Sequence, residues 1–92
     1  MYQVKFTGEF KKSYKLMIKR GLDISALDEV IDILRQGKKL DEKYRDHILS
    51  GKYNGFRECH IKPDWLLVYY IRDDILTLTL VITGSHSDIF KM

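Results

Sequence analysis

The chain reads as an α+β fold of element order β-α-α-β-β-β, with two N-terminal helices packed on a small twisted, largely antiparallel sheet. Three observations predict this. Two stretches with apolar residues at helical spacing come first, each closed by a glycine, Gly21 and Gly37. Three strand-like segments follow, roughly 54–61, 65–71 and 75–82, separated only by short turns. The middle segment, Trp65-Leu66-Leu67-Val68-Tyr69-Tyr70-Ile71, is apolar on both faces, as suits a central strand.

Taken in order, Met1 to Phe6 alternates enough for a short strand. Thr7 caps a first helix that places Phe10, Tyr14, Met17 and Ile18 on one face, with Lys11, Lys12, Lys15 and Lys19 mostly opposite. Ser25 opens a second helix with Asp28 three residues on, and Leu27, Val30, Ile31 and Leu34 form its stripe. Residues 38 to 53 are polar and read as a long connection with a turn of helix at most. Pro63-Asp64 turns the first strand pair and Arg72-Asp73-Asp74 the second, giving an antiparallel meander. The tail from Gly84 to Met92 leaves the sheet.

With 92 residues, the chain is expected to form one domain, 1–92, with a modest core. Its 45% hydrophobic and 12% aromatic content excludes a disordered class. The net charge of +3 is unevenly placed. Residues 1–45 hold eleven basic and seven acidic residues, and 46–92 hold five and six. The positive half favours an anionic partner such as RNA or an acidic protein, although a lysine-rich solvated helix face explains much of the same excess. One cysteine, Cys59, allows no internal disulfide. Charged residues interrupt the N-terminus and no segment is long and apolar enough for a bilayer. A soluble, cytoplasmic protein without a membrane partner is the expectation.

Three histidines stand at element ends: His47 in the connection, His60 closing a strand before Pro63-Asp64, and His86 after the last strand. Histidine exchanges protons near neutrality, so three of them with Asp64 nearby suit acid–base chemistry on one reacting group. Taken singly, each has an ordinary explanation: a polar loop residue for His47, a strand end for His60, a cap for His86. Asp64 is likewise a common turn residue. Metal binding is not expected, because Cys59 and His60 point to opposite strand faces and no Cys-x-x-Cys or His-x-x-x-His pair occurs. No cofactor is expected either.

Three blocks carry a resemblance: Asp46-His47-x-Leu49-x-Gly51; Arg57-Glu58-Cys59-His60-Ile61-x-Pro63-Asp64-Trp65-Leu66-Leu67-Val68-Tyr69; and Thr83-Gly84-Ser85-His86-Ser87-Asp88-Ile89-Phe90. In these the chain resembles the RelE/ParE toxin superfamily and, within it, the YafQ-like branch of bacterial type II toxins. The resemblance implies a ribosome-dependent endoribonuclease that cuts mRNA and is neutralised by a cognate antitoxin. That antitoxin would be an acidic, DNA-binding dimer, and a toxin–antitoxin heterotetramer is one assembly it allows. By the same resemblance His47, His60, Asp64 and His86 match catalytic positions, and Trp65 and Phe90 match the active-site surface. Of the basic residues near these motifs, Arg57, Arg45, Lys52 and Lys62, the first and third are assigned to the substrate phosphate.

One position departs from the branch. Arginine usually stands two residues before the glycine of the last block, and here the residue is Ile82. A guanidinium there would stabilise charge on the phosphate, and losing such a contact typically costs ~10²–10³-fold in turnover. Another cation substituting, a naturally weakened or inactive toxin, and an attenuating substitution made for production all fit. Ile82 also continues the apolar set Leu76, Leu78, Leu80, which satisfies packing alone. The competing function is a non-nucleolytic binding scaffold, acting on antitoxin alone or, as in ParE-like members, on gyrase.

Overall fold

The computed structural model describes residues 1–90, so the last two residues of the tail lie outside the described part. Strand β1 (Gln3–Phe6) leads into helices α1 (Gly8–Lys19) and α2 (Ile24–Arg35). Strands β2 (His47–Ile48), β3 (Arg57–Lys62), β4 (Trp65–Arg72) and β5 (Thr77–Gly84) follow, and a short helix α3 (His86–Phe90) closes the described chain. The five strands form one mixed sheet of order β1-β5-β4-β3-β2, antiparallel except where β1 runs parallel to β5.

Local chemistry fixes the helix ends. Thr7 caps α1 by accepting from the Phe10 N–H at 3.0 Å. Gly21 and Gly37 take φ values of 76° and 75°, where a Cβ would be strained. Each closes its helix with paired backbone bonds, Leu22 to Met17 and Gly21 to Ile18 in α1, Lys38 to Ile33 and Gly37 to Leu34 in α2. The start of α2 differs from the sequence expectation. Asp23, not Ser25, is the cap, and its carboxylate accepts from the Ser25 N–H.

The two sheet faces carry different cores. The main one joins Phe10 and Met17 of α1 and Leu27, Val30 and Leu34 of α2 to Cys59, Ile61, Trp65, Leu67, Tyr69, Leu78 and Leu80. On the other face Leu66, Val68 and Ile89 form a smaller cluster with Tyr53, Phe56, Ile82 and Phe90 around it. Strand β4 is therefore covered on both faces, and Leu66, Leu67 and Val68 are fully buried. Full burial of such a side chain is worth about 1.5–3 kcal/mol, which makes β4 the anchor of the sheet.

Three further departures matter for the site. The connection 38–53 contains a two-residue strand, β2, as well as 3-10 turns at Glu42–Tyr44 and Gly51–Tyr53. A strand of two residues has no alternation to show in sequence; its pairing with β3 alone defines it. The tail also turns helical within three residues of β5. Finally, β5 carries a bulge: Val68 faces Ile82 but Tyr69 faces Leu80, leaving Val81 as the extra residue. A one-residue insertion flips every later side chain to the other face. Leu78 and Leu80 thus point to the helices while Ile82 points to the opposite cluster. Leu76 belongs to neither, since it sits in the turn with φ 49° and is 56% exposed.

Candidate active site

The face opposite α1 and α2 gathers the histidines. Pairing of β2 with β3 sets His47 beside Glu58, and the two-residue period of β3 returns His60 to that face. One carboxylate oxygen, Oε1 of Glu58, lies 3.5 Å from His47 Nε2 and 3.6 Å from His60 Nε2. The glutamate is 3% exposed, and its Oε2 has no hydrogen-bond partner among the described residues. Each of these two imidazoles has its other nitrogen at a backbone carbonyl. His47 Nδ1 is 2.8 Å from the Arg45 oxygen, and His60 Nδ1 is 3.3 Å from that of Pro63.

His86 enters from α3. Asp64, at the β3–β4 turn, accepts from the His86 backbone N–H at 3.1 Å and lies 2.7 Å from its Nδ1. The His86 backbone and side-chain bonds hold the Asp64 carboxyl below the usual carboxylate range. An ionised Asp64 only accepts, so Nδ1 carries the proton and Nε2 is the nitrogen left for chemistry. The helix itself is pinned by a reciprocal cap. Ser85 Oγ accepts from the Asp88 N–H at 3.1 Å, and Asp88 accepts from the Ser85 N–H at 2.9 Å. Arg20, at the end of α1, clamps the same carboxylate with contacts of 2.6 and 3.0 Å. That guanidinium pushes the Asp88 carboxyl strongly down, against the opposing effect of partial burial. A Cβ on Gly84 would lie 2.8 Å from Asp88 Cβ, so the turn into His86 has room only for glycine.

The rings line up. Centroids of His47 and His60 are 6.3 Å apart, His60 and His86 5.8 Å, His86 and Phe90 6.3 Å, and Phe90 and Tyr53 5.9 Å. His47, His60, Asp64, His86 and Phe90 therefore meet on one surface. Lys52 stands over the Tyr53 ring at 5.6 Å and lines a cleft of about 320 Å³ together with Ile82 and Lys12. The bulge at Val81 is what brings Ile82 to this side, where it adds apolar packing and no charge.

Two expected residues do not join this surface. Arg57 faces the helix side, where Asp46 holds its guanidinium at 2.9 and 3.2 Å. The Tyr69 hydroxyl donates to the same carboxylate, and burial first, then Asp46, pushes its pKa well up. This network fixes the residue next to His47. Trp65 is 4% exposed, with its indole N–H donating to Thr83 Oγ1 at 3.0 Å, so it offers no face to a base. Conversely, Glu58 was not singled out from sequence. Its only signal was alternation with His60, which an exposed strand glutamate shows equally.

The fold also groups donors that sequence spacing could not relate. Glu58, His60 and His86 each offer a ligand atom, all within 4.8 Å of one another, because β3 and α3 converge here. Cys59 stays outside this group, on the helix side and fully buried. Burial pushes its thiol pKa far up, which leaves it inert. Chemically, the surface can donate and accept protons at three imidazoles backed by two carboxylates.

Residues 2–91 match the family described as bacterial toxin of type II toxin-antitoxin system, YafQ. The mRNA interferase toxin YafQ of Escherichia coli K12 is 33% identical over 88 residues, which cover 95% of this chain and 94% of that protein. A structure described as metal-bound toxin from Helicobacter pylori superposes with a TM-score of 0.91 at 43% identity, over 98% of this chain and 100% of the other. The E. coli DinJ-YafQ complex gives 0.88 at 32% identity, over 98% and 99%. Fold, family match and identity agree: the chain belongs to the YafQ family of bacterial type II toxin–antitoxin toxins.

Proposed function

We propose that the chain is a ribosome-dependent endoribonuclease that cuts mRNA by driving the 2′-hydroxyl of one nucleotide onto its adjacent phosphate. The observation that carries this reading is the convergence of His47, His60 and His86 with Glu58 and Asp64 on one exposed surface. The name of the E. coli relative, an mRNA interferase, supports the same substrate class. In the proposed reaction a base of the Glu58–His60 pair takes the 2′-hydroxyl proton, and the freed oxygen attacks phosphorus. The bond to the 5′-oxygen breaks, and protonated His86 gives that oxygen its proton from Nε2. Asp64 orients His86 instead of exchanging protons itself. His47 shares the Glu58 oxygen and places positive charge near the phosphate when protonated.

Ile82 supplies no charge, so the reading includes lowered turnover, with Lys52 and Lys12 the cations in the cleft it lines. The partner is a cognate antitoxin, supported by the DinJ-bound relative; an acidic, flexible segment would suit the basic helices. Action on translating ribosomes places the protein in the cytoplasm. The test is translation of a defined mRNA in a purified bacterial system, with cuts mapped by primer extension for the chain and for Ile82→Arg. Cuts by both, with Ile82→Arg roughly 10²–10³-fold faster, are expected. Silence from both refutes the nuclease and favours an antitoxin-binding scaffold.

A second reading rests on the Glu58, His60 and His86 donors. Two imidazoles and a carboxylate suit a borderline transition ion, and a relative from H. pylori is described as metal-bound. Such an ion would occupy the nitrogens needed for proton transfer and would inhibit cleavage. Restoration of activity by a chelator checks it.

A further inference from the structure

A second cleft, of about 550 Å³, opens on the other side of His60 between α2, the Glu42–Tyr44 turn and the end of β3. Lys43, Arg45 and Lys62 line it beside His60 and Tyr44, with Glu29 the one carboxylate in its wall. All three cations are exposed, and none has an acidic partner among the described residues. The contrast with the rest of the molecule is informative. Arg20, Arg35, Arg57 and Arg72 are each paired to an aspartate, and Arg45 alone of the five arginines is not. Lys43 lies 5.1 Å from the centroid of the Tyr44 ring, so a cation and a partly exposed ring are presented together.

The backbone at Arg45 adds a second, independent observation. Its φ is 50°, a left-handed conformation that costs a non-glycine residue of order 1–3 kcal/mol and tends to persist where a site requires it. That conformation lets its carbonyl meet His47 Nδ1 at 2.8 Å while its side chain lines the cleft. One residue thus joins the reacting surface to the cationic cleft, and His60 forms a wall of both.

We infer that this cleft binds an RNA backbone phosphate next to the one being cleaved, through Lys43, Arg45 and Lys62. The inference rests on the nuclease reading for the role of the neighbouring site, although the cleft's charge stands without it. Unpaired cations around a groove track a phosphate backbone and make binding salt-dependent. This cleft also supplies positive charge close to the histidines in a chain whose residue 82 is isoleucine. The phosphate could belong to the message or to ribosomal RNA.

The test uses a short fluorescein-labelled RNA, 2′-O-methylated throughout so that it cannot be cut, and separately ribosomes with and without that message. Affinity is measured against salt for the chain, for Lys43→Gln/Arg45→Gln/Lys62→Gln, and for a charge-matched control, Lys5→Gln/Lys15→Gln/Lys19→Gln. Each single-strand phosphate contributes about 0.7 to the slope of log affinity against log salt, so the cleft variant, which gives up one phosphate, should lose about 0.7. A loss with free RNA assigns the phosphate to the message; a loss seen only with ribosomes, message or not, assigns it to ribosomal RNA. Undetectable binding by the chain, an unchanged slope in both arms, or an equal fall in the control overturns the inference. So does displacement of an oligoglutamate peptide from the cleft without any change in RNA slope, which would mark a surface for an acidic protein. Cleavage of an unmethylated message on ribosomes is scored separately. A slope loss in a protein that cuts nothing keeps the cleft and rejects the nuclease, and cutting with an unchanged slope does the reverse.

Discussion

Replacing Glu58 with glutamine separates catalysis from stability by moving them in opposite directions. The carboxylate is 3% exposed, touches two imidazoles through Oε1 alone, and has an orphaned Oε2. No lysine or arginine pairs with this buried carboxylate among the described residues. An unpaired carboxylate costs more to bury than an amide of the same shape, so Glu58→Gln should stabilise the fold by about 1 kcal/mol. For a domain of this size 1 kcal/mol corresponds to about 4–8 °C in Tm. Turnover, in contrast, should fall ~10²–10³-fold at every pH, the usual loss for one preorganised electrostatic contact. Thermal melts and primer extension on programmed ribosomes give both readouts. Unchanged cleavage together with a lower Tm would refute the reasoning and make Glu58 a purely structural partner of the histidines.

Three other outcomes follow from the same geometry. Asp64→Asn should lower turnover about 10–100-fold, the range for an outer partner of a functional imidazole, while the protein melts normally; a wild-type rate would show that His86 needs no orienting anion. Asp88→Asn should cost about 1 kcal/mol or less at pH 7, since Arg20 is 43% exposed and solvent screens the pair. Because the folded-state pKa of Asp88 is depressed, its contribution is complete above the ordinary value of about 3.9 and is lost as pH falls through the folded one. Acid denaturation curves of the two proteins should accordingly converge only in strong acid, and a convergence near neutrality would contradict the clamp. Cys59 should resist iodoacetamide in the native protein and react once denaturant unfolds it, because burial raises its thiol pKa; rapid native labelling would place it elsewhere.

Signals that depend on neighbours in sequence were the legible ones. Thr7 caps a helix whatever lies across from it, Gly21 and Gly37 supply the backbone that a helix end needs, and the two-residue turn Pro63-Asp64 sets a hairpin. A seven-residue run apolar on both faces, residues 65–71, could only be a covered strand. The motif blocks also named the histidines that meet. Three things belonged to the tertiary structure alone, because each depends on which face a side chain occupies. Strict alternation would bury Ile82 with Leu78 and Leu80, and a bulge at Val81 turns it to the histidine side. Arg57 and Glu58 are adjacent in sequence; the pleat sends one to Asp46 behind the sheet and the other between His47 and His60. Arg45 is the last case, since its side chain meets Lys62 and His60 only in a cleft formed from three separate elements. Caps and turns are written in a few consecutive residues, whereas convergence across a sheet is written only in register.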